Sequence, residues 1–287
     1  MSTKQQVSEF YDQVGWQEVG VSDDGERRYQ NAHYEDLRPV SAAYIHACHL
    51  RIGRHLDPQG YLLLDAGSGP IQYPEYLAYS KGYRYRVCAD ISIGGLQEAR
   101  KRIGPHGLFV VCDIANLPFK ADAFDGVVSL HTIHHLPQDE HGRAYDELYR
   151  VLAPARSAAI VNGWGSAPLA NLANGMVKAY RRLRADRSQA EASSPPPAAA
   201  QPQGTFVKKH DAAWFQREIA SRIPAEILVW RTVNVHFLRT FIHARFGGRL
   251  LLRLLYGLEE RFPHFLGKHG QYPIIVFRKK RRMMDDR

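Results

Sequence analysis

Between residues 61 and 164, short apolar runs alternate with helical stretches. YLLLDAG (61–67), YRYRVCAD (83–90), GLFVVCD (107–113), FDGVVSL (124–130) and SAAIVNGW (157–164) read as five buried strands. The clearest helix is 139–152, where Ala144, Leu148, Val151 and Leu152 recur at i, i+4, i+7 and i+8 and Pro154 supplies a stop. Strands alternating with helices predict an α/β fold with a parallel sheet covered on both faces. Residues 1–60 read as helical. VSEFYDQVGW is a short amphipathic stretch, residues 41–56 scatter Ala43, Ile45, Cys48, Leu50 and Ile52 among polar positions, and Pro58-Gln59-Gly60 make a turn.

From residue 165 the pattern changes. Residues 167–185 predict a basic helix, and 186–204, rich in Ala, Pro, Ser and Gln, predict a flexible or disordered insert. A helix at 211–221, a strand at 225–234, one or two basic amphipathic helices at 237–265 broken at Gly247-Gly248, and a strand at 272–280 follow, with a frayed RRMMDDR tail.

Composition narrows the class. The chain has 287 residues, long for one compact core and short for two, and 45% are hydrophobic, which excludes global disorder. No apolar run is long enough to span a bilayer, and MSTKQQVSEF has no apolar signal core. Three cysteines, Cys48, Cys88 and Cys112, form neither a disulfide framework nor a metal spacing, so a cytoplasmic protein is expected. The net charge of +9 divides unevenly: residues 1–163 sum to −4 and residues 164–287 to +13.

The sharpest chemical signal is LLLDAGSGP (62–70). Gly67 and Gly69 permit a tight turn and close approach of a ligand. A dinucleotide fingerprint would place a third glycine or alanine at 72, which is Gln72, and no Gly-Lys-Ser/Thr of a phosphate loop is present. Asp65 can hydrogen-bond loop amides or a ligand ammonium group. Asp90 ends the second strand, 21 residues after Gly69, where a carboxylate accepts both ribose hydroxyls. Asp113 follows the third strand, where it can accept from an adenine amino group, with Ile91 and Ile114 placed to sandwich the ring.

DAGSG, VCADIS, CDIANLPF, FDGVVSLHTIHHLP and ELYRVLAP, in that order over residues 62–163, resemble the class I S-adenosylmethionine-dependent methyltransferases, the small-molecule type in particular. The resemblance implies a doubly wound, seven-stranded, mostly parallel sheet with a helical cover. Residues 225–234 would be its sixth strand and 272–280 its seventh, antiparallel one. It implies a helical cap (1–60), a cofactor-binding core (61–164), a helix with insert (165–204) and a C-terminal completion of sheet and cover (205–287). The cofactor would be S-adenosylmethionine, held by Asp65, Ala66, Gly67, Ser68, Gly69, Asp90, Ile91, Asp113, Ile114, Leu130 and His131. Ala155-Arg156 departs from the family's usual Gly-Gly.

Methyl transfer to a hydroxyl needs alignment, exclusion of water and a base. His131, His134, His135 and His141 cluster after the fourth strand. The resemblance to O-methyltransferases implies His134 as the base, with His135 the other candidate and His131 lining the cofactor's methionine end. No metal is expected, because the metal-dependent pattern of aspartates is absent. The segment Ser129-Leu130-His131-Thr132 lacks the Pro-Pro-aromatic motif of base amine methylation, and no cysteine follows the fourth strand for base C5 methylation. Nucleic acid is therefore disfavoured as partner.

The resemblance also implies a substrate cover from the N-terminal helices and the insertions after the fifth and sixth strands. Tyr11, Trp16, His210 and Trp214 are its candidate substrate residues. The basic apolar segment 236–262 reads as a lid for an anionic or lipid-like substrate, an interfacial helix, or an ordinary packing helix. The expected activity is methylation of a small molecule, O-methylation first. The alternatives are an RNA or other nucleic-acid methyltransferase, suggested by the basic C-terminal portion, and a cofactor-binding module without turnover. The sequence leaves the oligomeric state open.

Overall fold

A computed structural model describes residues 2–21, 27–189 and 205–281. In chain order it contains α1 (Thr3–Phe10), a π-helical turn (Tyr11–Gly15), β1 (Glu18–Val21), β2 (Arg27–Tyr29), α2 (Ala42–Arg51), β3 (Gly60–Ala66), β4 (Tyr83–Asp90), α3 (Ile93–Ile103), β5 (Gly107–Val111) and β6 (Phe124–Leu130). Then come α4 (His141–Val151), β7 (Leu152–Val161), α5 (Pro168–Gln189), α6 (Ala212–Glu218), β8 (Ala225–Arg231), α7 (Val235–Phe241), α8 (Gly248–Arg261), α9 (Pro263–His269) and β9 (Tyr272–Arg278).

Seven strands form one sheet in the order β5-β4-β3-β6-β7-β9-β8. All neighbours are parallel except at β9, which runs antiparallel to both β7 and β8. This is the doubly wound sheet that the sequence predicts. The period-2 geometry of strands divides the apolar residues between two layers. Leu64, Ala66, Val87, Ala89, Val127 and Ile160 face α4 and α6, where Leu148, Val151, Phe215 and Ile219 meet them. Leu63, Cys88, Val128, Ala159 and Ile274 face the opposite layer, with Cys48 of α2, Leu96 of α3, Leu238 of α7 and Leu252 of α8. Because β3 lies between β4 and β6, the chain winds outward on both sides of it. The carboxyl ends of these strands therefore open a crevice.

Several elements differ from expectation. Residues 1–60 are not helical throughout: β1 and β2 form an antiparallel ribbon. The β-branched Val19 and Val21 before Asp-Asp-Gly are the hairpin signal for it. Helix α4 stops at Val151, and Pro154 lies inside β7 instead of capping the helix. The segment 237–265 makes three helices. Gly247, with φ of 71°, breaks the chain before α8, and Pro263 starts α9 at a position that needs no N–H. Helix α5 runs on to Gln189, four residues into the insert expected at 186–204; the rest of that insert and the expected tail beyond residue 281 lie outside the described residues. Among the described residues, no helix is long and apolar enough to cross a membrane.

Candidate functional site

A cavity of about 420 Å³ lies at the carboxyl ends of β3, β4 and β6. One part of its wall is the glycine loop and the end of β4, with Asp65, Gly67, Ser68, Asp90 and Ile91. The far part holds Leu130, His131, His134, His135, Lys209 and Arg231. Val7, Phe10, Tyr11 and Trp16 close it from the N-terminal side.

The loop after β3 turns on positive φ at Gly67 (76°) and Gly69 (49°). A Cβ at Gly67 would collide with the Thr132 hydroxyl, and one at Gly69 would stand 2.6 Å from the Trp16 ring. The glycines thus let the β6 loop and the N-terminal cap close onto the turn. Asp90 fixes it by accepting from Gly69 N–H (2.7 Å) through Oδ2 and from Ser92 N–H (2.8 Å) through Oδ1. Asp90 has no cation in contact among the described residues, and burial pushes its carboxyl up to about 6 despite those two N–H bonds. A buried carboxylate that retains lone pairs and lacks a cation is suited to neutral donors, such as two ribose hydroxyls. The loop and Asp90 therefore fit the nucleoside of S-adenosylmethionine.

The other two aspartates are already paired. Asp65 accepts from Nε (3.1 Å) and Nη2 (2.5 Å) of the buried Arg86, both through Oδ2. Asp113 pairs with Lys4 (2.5 Å) and accepts from Ala115 N–H (2.9 Å) and Asn116 Nδ2 (2.9 Å). Asp113 and the buried Ile114 are not among the residues lining the cavity. Lys4 also reaches Glu140, so it ties α1 across the end of β5.

The histidines adopt distinct settings. His131 takes φ of 57° at the end of β6, an uncommon conformation for a non-glycine residue, and packs its ring on Trp230 and Tyr272. Burial lowers its pKa to about 3. His134 Nδ1 bonds Asn162 Oδ1, which assigns the proton to Nδ1 and leaves Nε2 as acceptor. Burial, then the neighbouring His135 and Lys209, hold the His134 imidazole well below its usual range. His135 Nδ1 donates to the Phe206 carbonyl (2.8 Å), so its Nε2 accepts from the Tyr11 hydroxyl (2.9 Å). Burial lowers His135 to about 4. All three rings are neutral at pH 7.

Tyr11 and Trp16 stack at 4.9 Å and border the cavity. His210 and Trp214 do not border it. They stack on each other at 3.5 Å, beside His141, because Asp211 caps α6 and turns both rings toward the α4 side. The neighbouring Lys209 points into the cavity instead. It makes no ion pair among the described residues, and burial lowers its pKa. Sequence reasoning missed Lys209, Glu35, Tyr73, Tyr76, Arg231 and Tyr272 in this wall. Arg231, at the end of β8, pairs with Glu35 and packs over Trp230 and Tyr272. The available signal was an arginine ending the apolar run ILVWR, a polar group at a strand's carboxyl end.

A family model described as a methyltransferase domain matches residues 64–160. A probable tRNA methyltransferase 9B of Mus musculus is 31% identical over 132 residues, 45% of this chain and 28% of that protein. Methyltransferase GfsG of Streptomyces halstedii is 28% identical over 134 residues, 45% of this chain and 47% of that protein. The chain thus spans less than half the length of these curated relatives. Among solved structures, the [4+2]-cyclase SpnF superposes with a TM-score of 0.54 at 18% identity, covering 98% of both chains, which is a likeness of fold. Residues 64–160, about a third of the chain, thus match a methyltransferase domain, and S-adenosylmethionine is the cofactor that the match supports, on the seven-stranded sheet described above.

Proposed function

We propose that the protein methylates a hydroxyl oxygen of a small, anionic acceptor, using S-adenosylmethionine. The observation that carries this is the single cavity joining the Asp90 end to His134 Nε2 and the unpaired Lys209. When bound, the cofactor supplies an electrophilic methyl group on a sulfonium centre. Asp90 accepts from its ribose, the Gly67–Gly69 turn admits it closely, and Ile91 and Phe10 offer apolar contact to its base. Leu130 and His131 line the path toward the methyl. His134 Nε2 would accept the proton of the acceptor hydroxyl, and Asn162 would keep the opposite ring nitrogen protonated, so that the oxygen is freed for methylation. Lys209 takes a carboxylate or phosphate of the acceptor. That pairing offsets one of the charges depressing His134, so the bound acceptor strengthens its own base. The α1 cap and residues 205–209 exclude water.

The test is incubation with methyl-labelled cofactor and either a metabolite extract or total tRNA. Label in a small anionic product, reduced roughly 10²–10⁴-fold in His134→Gln with unchanged cofactor affinity, is the expected outcome. A second reading, tRNA methylation, is favoured by the likeness to the Mus musculus protein and predicts label in the RNA instead. Tight cofactor binding with no label in either pool would favour a binding module without turnover.

A further inference from the structure

Helix α8 turns four of its six leucines outward. Leu250, Leu254 and Leu258 are spaced by four and so form one row, with Leu251 beside it. They are 60%, 59%, 53% and 48% exposed, while Leu252 and Glu259 face inward and are buried. A helix that merely covers the core presents the reverse arrangement. Phe246 and Phe262, exposed at the two ends of the helix, carry the Arg245 and Arg261 guanidinium groups over their rings at 4.7 and 5.3 Å. Phe265 on α9 is exposed as well.

The unpaired charge beside this row has one sign. Arg249 and Arg253 are exposed and make no ion pair among the described residues. Both acidic residues of α8 are turned to α2 and its surroundings. Glu259 accepts from Tyr44 Oη (2.8 Å), Thr232 N–H (2.8 Å) and Arg51, and Glu260 pairs with Arg51 and Arg54. Glu260 is itself exposed but is paired with two arginines, so among the described residues the unpaired groups left outside are apolar and cationic. A cleft of about 240 Å³ between α5 and α7, lined by Arg181, Arg184, Arg239 and His243, extends the cationic character to the helix preceding α8.

We infer that the outer face of α8 docks on the surface of an anionic phospholipid bilayer. Leucines and phenylalanines enter the acyl boundary while the arginines meet lipid phosphates. The charge argues against a second copy as occupant, because a two-fold contact would set the arginine row against itself. The apolar row argues against RNA, whose phosphates gain nothing from exposed leucines.

The experiment is co-sedimentation of the full chain with vesicles of phosphatidylcholine alone or mixed with phosphatidylglycerol, at low and high salt. Binding to the mixed vesicles, weak on phosphatidylcholine alone and reduced by salt, is expected. Leu250→Glu with Leu254→Glu should lower it about tenfold or more, and Arg249→Glu with Arg253→Glu should lower it and flatten its salt dependence. Wild-type hydrogen exchange gives a readout independent of substitution, since residues 248–262 should slow on mixed vesicles. Absence of sedimentation, equal binding to neutral vesicles, binding that both double variants leave intact, or unchanged exchange would each overturn the proposal. So would a vesicle-free dimer, or RNA retention, that the leucine variants abolish while no vesicle binding is seen.

Discussion

Asp90 is a buried carboxylate whose partners are two backbone N–H groups, and this makes it the residue on which cofactor binding should depend most. Replacing it with alanine removes charge-assisted acceptors and should weaken S-adenosylmethionine about 10–100-fold by calorimetry. With its carboxyl pushed up to about 6, cofactor affinity should also fall as pH drops below that value, and Asp90→Asn should abolish this dependence. Unaltered affinity in Asp90→Ala would remove it from the site. Asp90 and the glycines were legible because strand ends and turn glycines are local features. The setting of Asp113 was not, since Lys4 reaches it from 109 residues away. The same holds for Lys209 against His210: adjacent in sequence, they diverge because the start of α6 turns one ring away from the cavity.

At the scale of elements, α1 and the π-turn are fastened over the candidate cofactor site by a few contacts. Lys4 pairs with Asp113 and Glu140, Ser8 Oγ donates to the Ile91 carbonyl, and Asp12 accepts from Ser92 Oγ and Gly94 N–H. Loosening this cap with Lys4→Ala and Asp12→Ala together should speed cofactor release severalfold in stopped-flow measurements and leave Tm almost unchanged, since these groups are partly exposed. A release rate identical to wild type would show that the cap does not retain the ligand. The Ala155 position makes a separate test. Its φ of 63° puts an alanine in left-handed backbone, where a Cβ costs roughly 1–2 kcal/mol. Ala155→Gly should recover part of this, less the entropy glycine loses on folding, and raise Tm by about 2 °C in a thermal melt. The Ala-Arg departure was visible in the sequence, but its backbone strain depends on the pairing of Ala155 N–H with the Lys279 carbonyl (2.9 Å).

For the whole molecule, the buried ionisable groups set the response to acid. His131, His134 and His135 are held neutral, with His131 at about 3 and His135 at about 4. Below about pH 6.5 the unfolded chain gains protons on these rings before the folded one does. Their contribution to stability is therefore complete above 6.5 and lost as pH falls toward 4. Glu35 and Glu75, each held at about 2 by partners that overcome burial, extend the loss at lower pH. Asp90 acts oppositely between its unfolded value and about 6, and His49, raised by Glu35 and Glu75 against burial, also opposes it. The depressed groups outnumber these two, so Tm should drop steadily from pH 6.5 to 4, and His131→Gln with His135→Gln should flatten that slope. A Tm independent of pH in this window would contradict the placement of these rings.

Local pattern was enough for the strands of the sheet and the glycine turn after β3. Apolar runs, helical periodicity and glycines at strand ends act through neighbours in sequence, and β4 and β6 fall where their residues predict. Four other features arise only when distant segments meet: the β1–β2 ribbon joining the cap, the Glu35–Arg231 pair, Lys209 facing the histidines, and the outward row of leucines on α8. Which face of an amphipathic helix is buried is decided by its neighbours. On α8 the inward pull of Glu259 toward Arg51 and Tyr44 leaves the leucines outside. Periodicity gives the stripe, and tertiary contact gives its direction.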